Sequence, residues 1–367
     1  MELKVKPQLD CCVYTARYVI LFGPILLASH TIGRCVSERS VHSSIPRINQ
    51  GICVWGSGPW AGFTLGSLSQ LGVAPLYVGG EPTGEKRIKR LHKLAHVYGA
   101  KVFHHPEQVA ALGCAGVVLA LPPAENLRHG RLFLQAGLDV FVQKPLANTV
   151  EEAQELFDIA RRENRILMGG SDFPFRADIV RAGELIKEGY IGQPTYLHAQ
   201  FCRIHHPSDW RTDVLEDMGD HALSAISALM GTPRTLAIRR NGPLSAQLYL
   251  EGESWSADAR LSWETSRGEM PEIIIEGTGG SFHLNTREWQ TLHYYKTVES
   301  FNLRARLPGF KHWKSESHKV IQCDGIHSYA RMLAEFLSAG ESTTAARSFS
   351  TELVKFRMLR EAMEAVS

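Results

Sequence analysis

The feature that most constrains this chain is a regular alternation of short apolar runs and helical segments that begins after Arg47. Ile52–Trp55 is an apolar run followed by glycines, which is typical of a strand buried on both faces. Further runs predict strands at Val73–Val78, Lys101–Phe103, Gly116–Leu121, Asp139–Val142 and Ile166–Met168. The intervening segments predict helices at Ala61–Leu71, Lys86–Tyr98, Leu127–Ala136 and Val150–Arg162. This alternation favours an α/β fold with a parallel sheet covered by helices.

The pattern changes after Gly192, where short strands follow one another with connectors rich in Gly, Pro and Asn. Sequential strands with short links favour an antiparallel sheet. The predicted strands are Thr195–Arg203, Leu236–Arg240, Ala246–Leu250, Ser256–Trp263, Glu272–Glu276 and Gly280–Leu284. The predicted helices are Ile179–Lys187, Ile326–Leu337 and Ser350–Val366. We therefore expect an extension at residues 1–46, a domain with a parallel sheet at 47–168 and an α/β domain with an antiparallel sheet at 169–367.

The overall composition excludes several classes of protein. The chain has 367 residues, of which 44% are hydrophobic, so it can form two domain cores. Its net charge of +2 argues against a nucleic-acid-binding protein, which usually carries a strongly basic face. The cysteine count is odd, at seven, and no C-x-x-C occurs, which argues against a disulfide scaffold and a thiolate zinc site. Reduced thiols favour a cytoplasmic protein.

The N-terminal segment contains an apolar run at Tyr18–Ala28 that follows Lys4, Lys6 and Arg17. A basic region before an apolar one resembles a secretory signal or an anchor. The run is short for a membrane span and is broken at Gly23-Pro24, so we expect no membrane association. The simpler interpretations are a disordered or loosely packed extension, or a start codon placed too early.

A glycine-rich loop follows the first predicted strand and opens a helix. It reads Gly56, Ser57, Gly58, Pro59, Trp60, Ala61 and fits the pattern G-x-G-x-x-[GA]. The first glycine permits a tight turn, the second lets a pyrophosphate approach the backbone, and a small third residue allows close helix packing. The helix N-terminus adds amides and a favourable dipole. The loop predicts dinucleotide binding, with a plain strand-to-helix turn as the alternative.

The expected ribose-binding acid is missing from the end of the second strand. That position is Gly79, and the first acidic residue after it is Glu81. Glu81 could bind the ribose hydroxyls of NAD in its place. The gap could instead admit the 2′-phosphate of NADP beside Lys86 or Arg87. The sequence leaves both cofactors, NAD and NADP, open.

Three further motifs lie downstream of the glycine loop. They are Gln143-Lys144-Pro145 after the fifth strand, Leu185–Gly192, and Asp217-Met-Gly219-Asp-His221 in the second half. Together with the glycine loop, their order and spacing resemble the glucose–fructose oxidoreductase and inositol dehydrogenase family, Gfo/Idh/MocA, over residues 47–367. The resemblance implies a Rossmann nucleotide-binding domain at 47–168, followed by a substrate-binding and oligomerisation α/β domain at 169–367 with a large, mostly antiparallel open sheet. It also implies hydride transfer between NAD or NADP and a carbinol or ketone carbon of a sugar-like or polyol substrate.

The resemblance assigns roles to individual residues. Lys144 matches the family lysine that contacts substrate and assists proton transfer, His221 the acid/base histidine, and Asp217 its neighbouring carboxylate. Asn126, in the loop after Pro122, matches a position that often contacts the cofactor, although a helix-capping role is equally expected. Gln143 and Lys144 are likewise expected near the cofactor.

These residue types suit the chemistry. A histidine can exchange the proton of the substrate oxygen near neutral pH, and a lysine can stabilise negative charge on that oxygen. Asp217 and His221 are four residues apart and can face one side of a helical turn, so the cluster is complete without a metal. Trp210 and Arg211 could line the substrate pocket or pack an interdomain seam.

The chain departs from the family pattern at several positions. Gln143 replaces the family glutamate, Ser224 replaces the final aspartate, the glycine-rich stretch before Asp217 is missing, and no basic residue follows the sixth strand until Arg176. These changes keep open a non-catalytic nucleotide-binding regulator or scaffold on the same fold. Redox-neutral hydrolysis of a glycoside with bound NAD is a further alternative. By resemblance, we expect a homo-oligomer, a dimer or tetramer.

Overall fold

The computed structural model describes residues 49–203, 213–265, 270–299, 314–339 and 343–366. The predicted extension at 1–46, together with Trp210 and Arg211, lies outside these ranges. The chain divides into two compact units. Among the described residues, the first comprises 49–143, 158–168, 333–339 and 343. The second comprises the described residues of 144–157, 169–332 and 344–366.

The first unit is organised around a six-stranded sheet. Its strands are β1 (Ile52–Trp55), β2 (Leu76–Gly79), β3 (Lys101–Phe103), β4 (Gly116–Leu119), β5 (Asp139–Gln143) and β6 (Leu167–Gly170). They lie in the order β3-β2-β1-β4-β5-β6, and the pairs from β3 to β5 are parallel. This is the strand order of a Rossmann fold. The predicted parallel sheet is therefore confirmed.

Helices alternate with these strands. They are α1 (Pro59–Gln70), α2 (Glu85–Tyr98), α3 (Pro106–Ala110), α4 (Pro123–Gln135) and α5 (Val150–Arg162). The short α3 was not predicted, because five residues are too few to establish a helical period. Helix α4 begins four residues earlier than predicted, since Pro123 can occupy the first turn of a helix. The largest fully buried side chains of this unit include Trp55, Phe133 and Phe141.

The second unit contains an eight-stranded sheet in the order β14-β13-β12-β11-β7-β10-β9-β8. Its strands are β7 (Pro194–Cys202), β8 (Thr235–Arg240), β9 (Ser245–Glu251), β10 (Ser256–Ser262), β11 (Met270–Gly277), β12 (Gly280–Asn285), β13 (Thr291–Glu299) and β14 (Lys314–Gln322). The β7–β10 pair is parallel and the other neighbours are antiparallel. The expectation of a large, mostly antiparallel sheet is confirmed.

One face of this sheet carries the core of the unit. On β7, Leu197, Ala199 and Phe201 alternate with more exposed residues and join the same apolar cluster as the helices α6 (Ala177–Lys187) and α7 (Asp220–Met230). The chain ends in α8 (Ser328–Ser338) and α9 (Thr343–Glu364). Strands β13 and β14 were not predicted. The edge strand β14 is exposed at residues 317–320, three of which are polar, so its sequence carries little apolar alternation.

Within the described part of the chain, no helix combines the length and the apolar character that crossing a membrane requires.

Candidate active site

The first candidate element is the glycine loop between β1 and α1. Gly56 has φ +148°, and a Cβ at this position would lie 2.3 Å from the carbonyl oxygen of Ala120. Its amide donates a hydrogen bond to the carbonyl of Gly79 at 2.8 Å. Both the conformation and the close approach therefore require glycine at position 56.

At Gly58, neither the backbone conformation nor a protein contact requires glycine. Its φ is −80°, which any residue can adopt, and an added Cβ would meet no protein atom within 4 Å. The space beside it is open, Trp60 is 48% exposed, and Ala61 is fully buried under the helix. Gly58 is the N-cap of α1 and has no side chain to cap the first amides. An open cradle at a helix N-terminus fits a pyrophosphate group.

Asn126 and Pro122 lie at the start of α4. Pro122 is the N-cap and Pro123 the first helical residue, so Asn126 lies inside the helix and is fully buried. The alternative that Asn126 caps a helix is therefore wrong. The expected cofactor contact of Asn126 stays a prediction. Ser57, two residues after β1, and Gln143, the last residue of β5, are buried polar residues. Strand β4 lies between β1 and β5 in the sheet.

Glu81, the candidate substitute for the ribose-binding acid, already has a strong partner. Arg128 on α4 donates two hydrogen bonds to its carboxylate, at 2.7 and 2.8 Å. The hydrogen bond from Arg128 lowers the pKa of Glu81. The carboxylate is therefore charged and oriented toward a guanidinium.

The second candidate element lies in the second unit and is centred on Asp217. Lys144 Nζ donates to its Oδ1 at 3.0 Å and to its main-chain carbonyl at 2.8 Å. Arg203 donates to the other carboxylate oxygen. Asp217 is 7% exposed, and burial alone would raise its pKa, but the charges of Lys144 and Arg203 bring the pKa below its usual value. Asp217 is therefore an anion held between two cations.

His221 lies one turn further along. Asp217 belongs to a π-helical turn, Leu215–Gly219, which runs directly into α7. The Nδ1 atom of His221 lies 2.6 Å from Ser171 Oγ, and the ring packs on Phe173 at 4.7 Å between centroids. Burial and the charge of Lys144 lower the pKa of His221 to about 4, against opposing carboxylates that include Asp217. The imidazole is therefore neutral near pH 7.

The structure thus brings Lys144, Asp217 and His221 into one polar cluster, as the sequence suggested. Two further members were missed. Ser171 follows β6 directly, and Arg203 follows β7 directly, so both begin connections after a strand. Position after a strand end was the available signal, since functional groups collect there in α/β proteins. Only the three-dimensional structure shows which side chains Ser171 and Arg203 contact.

Ser224, which stands where the family has an aspartate, also has a defined environment. It is 1% exposed, and its hydroxyl accepts a hydrogen bond from Lys355 Nζ at 3.2 Å. Lys355 is itself buried and forms an ion pair with Glu352. Lys355 thus links the hydroxyl of Ser224 to the carboxylate of Glu352 on α9.

Comparison with known proteins identifies relatives that match part of the chain in sequence. Residues 84–171 match the family model described as an oxidoreductase family with an NAD-binding Rossmann fold, GFO_IDH_MocA. An uncharacterized oxidoreductase of Schizosaccharomyces pombe is 29% identical over 188 residues, covering 45% of this chain and 51% of the relative. D-glucoside 3-dehydrogenase of Escherichia coli is 26% identical over 165 residues, covering 42% and 47%. The chain spans about half the length of the curated relatives it matches.

A solved structure extends the likeness to most of the chain. An inositol dehydrogenase homolog from Azotobacter vinelandii, complexed with NAD+, superposes with a TM-score of 0.68. The superposition covers 86% of this chain and 95% of the homolog at 15% identity, which establishes a common fold. Together with the family-model match and the curated relatives, it shows that the chain is similar to Gfo/Idh/MocA oxidoreductases, in sequence over part of its length and in fold over most of it.

Proposed function

We propose that this chain is an NAD(P)-dependent oxidoreductase that acts on a carbinol or ketone carbon of a sugar-like or polyol substrate. The observation that carries the proposal is the cluster of Lys144, Asp217 and a neutral His221 in a chain whose residues 84–171 match the model of this family. The names of related proteins, which include a D-glucoside 3-dehydrogenase and an inositol dehydrogenase homolog, support the substrate class.

The residues of the glycine loop fit a dinucleotide. The open space at Gly58 and the start of α1 would hold its pyrophosphate, with Ser57, Pro59, Trp60 and Ala61 forming the rest of the loop. A bound nicotinamide supplies or accepts the hydride. The remaining requirement, transfer of a proton at the substrate oxygen, falls to residues of the chain.

Lys144 is equipped to bind and polarise that oxygen. An ammonium has three N–H donors, and two of those of Lys144 are directed to Asp217. The third N–H is then available to a substrate oxygen on which negative charge develops. Asp217 holds Lys144 in place. The lysine side chain is 18% exposed and is therefore still accessible to a small molecule.

His221 is equipped to exchange the proton. Ser171 Oγ accepts a hydrogen bond from the amide of Phe173 at 3.1 Å and, with its second lone pair, can also accept one from Nδ1–H of His221. In that tautomer, the Nε2 lone pair is free to take a proton from a substrate hydroxyl as the carbon loses hydride. In the reverse direction, the imidazolium returns the proton to the oxygen. Ser171 is therefore a positioning residue that orients the ring.

The first experiment measures the fluorescence of NADH and NADPH on titration with the purified chain, followed by a turnover screen of aldoses, glycosides and cyclic polyols. We expect cofactor binding, and turnover that Lys144→Met and His221→Asn each abolish without weakening binding. Lys93→Met and His96→Asn, which change exposed residues on α2, are the matched controls. Binding without turnover of any substrate would favour the non-catalytic regulator or scaffold. Failure of both cofactors to bind at millimolar concentration would refute the proposal.

We also propose that the enzyme is a homo-oligomer that associates through the outer face of the eight-stranded sheet. Tyr249 on β9 and Val320 on β14 are 43% and 45% exposed on the face opposite the core. Exposed apolar groups on a broad sheet favour burial against a partner. Light scattering of the native chain and of Val320→Glu tests this, and a monomer in both samples would contradict it. The cytoplasmic location stays a prediction.

A further inference from the structure

The structure of the first unit bears on which dinucleotide the chain takes, an inference that rests on the proposed function. In Rossmann folds, the residue at the end of β2 lies at the adenosine ribose, and an acid there binds the 2′-hydroxyl of NAD. Here β2 ends at Gly79 and is followed by Gly80. Neither residue has a side chain that could bind a hydroxyl.

Gly79 cannot be exchanged for an acid without repacking the sheet. A Cβ at this position would lie 2.2 Å from Cε3 and 2.3 Å from Cζ3 of Trp55. The Trp55 ring is fully buried and packs edge-on against Phe133, at 5.4 Å between centroids, and against His129. Trp55 thus occupies the space that the base of an acidic side chain needs.

Glu81, two residues beyond β2, is an unsuitable replacement. Its carboxylate already accepts two hydrogen bonds from the Arg128 guanidinium, and Arg128 also donates to Glu125 at 3.2 Å. To bind a ribose, Glu81 would have to give up a bidentate ion pair. Its charge is meanwhile compensated, which reduces repulsion toward a phosphate nearby.

A cation lies over the strand end instead. Arg87, in the first turn of α2, places Nε 3.5 Å and Nη2 3.6 Å from a Cβ built on Gly80. Its Nη1 donates to the neutral hydroxyl of Thr83 at 3.0 Å. Unlike Arg128, Arg87 has no carboxylate within ion-pair distance among the described residues. A partly exposed guanidinium can bind a phosphate through two parallel hydrogen bonds.

We infer that the chain selects NADP over NAD, with Arg87 binding the 2′-phosphate and Trp55 excluding the acid that would bind the 2′-hydroxyl. Selectivity then comes from the guanidinium and from the side-chain-free backbone at Gly79 and Gly80. Because the contact is a partly exposed ion pair, the preference weakens as salt concentration rises.

The test compares dissociation constants of NADPH and NADH by fluorescence titration, and those of adenosine 2′,5′-bisphosphate and 5′-AMP by calorimetry. We expect the 2′-phosphorylated member of each pair to bind at least about tenfold more tightly. Arg87→Gln should remove this difference and leave NADH and 5′-AMP binding unchanged. Lys89→Gln makes the same charge change on α2 at an exposed residue paired with Glu85, and should leave the difference intact.

The outcomes separate this inference from the proposed function. NADH binding as tightly as NADPH, or more tightly, overturns the inference and leaves the oxidoreductase proposal standing. An NADPH preference that survives Arg87→Gln overturns the role of Arg87. If neither cofactor binds, both the inference and the proposed function fail. Unchanged NADH affinity in Arg87→Gln serves as the internal control for folding.

Discussion

The Nζ atom of Lys144 donates hydrogen bonds to two oxygens of Asp217, to the carboxylate Oδ1 at 3.0 Å and to the main-chain carbonyl at 2.8 Å. The second contact fixes the lysine to the backbone of the π-helical turn as well as to a side chain. Since Arg203 contacts the other carboxylate oxygen, removal of Asp217 leaves two partly buried cations without their counter-ion.

Asp217→Ala should therefore destabilise the fold by roughly 2 to 4 kcal/mol, because breaking a buried pair leaves uncompensated charge. Urea denaturation measures the free energy of unfolding. Asp158→Ala, which removes the exposed partner of Arg161, is the control and should change it by less than about 1 kcal/mol. Equal effects of the two substitutions would contradict the role given to Asp217.

The lowered pKa of His221 predicts an unusual pH dependence. The folded protein favours the neutral imidazole down to about pH 4, whereas the unfolded chain protonates near the ordinary value of 6.5. The associated stability is thus present above pH 6.5 and is lost as pH falls toward 4. Denaturation at several pH values should show that His221→Asn reduces this loss; an unchanged pH dependence would contradict it.

The same shift bears on activity. On acidification, kcat/KM should begin to decline only well below pH 6, because the free enzyme keeps His221 neutral down to about pH 4. Because Lys144 lowers the pKa of His221, Lys144→Met should raise the titration midpoint of the His221 ring measured by NMR. A midpoint near 6.5 in the native chain would refute both expectations.

Ser171 is expected to act through His221. Ser171→Ala removes the hydroxyl that lies 2.6 Å from Nδ1, so the ring loses its orientation and kcat should fall by about tenfold or more with KM little changed. Ser171→Thr retains the hydroxyl and should restore much of the rate. A shift in the pH profile of Ser171→Ala would separate positioning from a structural role. Full activity of Ser171→Ala would contradict the assignment.

Much of the fold was predictable because it depends on periodicity. The buried parallel strands of the first unit are short apolar runs, and both Lys101–Phe103 and Val150–Arg162 are observed within the predicted bounds. The polar edge strand β14 was not predictable in this way, since a strand with exposed residues does not need apolar alternation.

The candidate site was predictable only where a motif marked it. Lys144, Asp217 and His221 belong to motifs, whereas Ser171 and Arg203 do not, and their contacts join segments distant in sequence. The bidentate Glu81–Arg128 pair links residues 47 positions apart. No local sequence pattern predicts a partner so distant along the chain. From the sequence alone, Glu81 was therefore a candidate for binding the ribose hydroxyls.

Substitutions at two glycines of the first unit should affect folding stability and dinucleotide binding separately. Gly79→Ala introduces a Cβ 2.2 Å from the buried Trp55 ring, so it should lower the free energy of unfolding by about 1 to 3 kcal/mol. Gly58→Ala meets no protein atom within 4 Å at an unstrained φ of −80°. It should change stability by at most about 1 kcal/mol yet weaken dinucleotide binding, because its methyl group occupies the space of the pyrophosphate.

Urea denaturation and NADPH fluorescence titration, applied to both variants, check this contrast. Weakened binding in a stably folded Gly58→Ala identifies the loop as the cofactor cradle, since the substitution disturbs nothing else nearby. If Gly58→Ala bound NADPH as tightly as the native chain, the pyrophosphate could not lie at this helix N-terminus. The plain strand-to-helix turn would then be the better interpretation of the glycine loop.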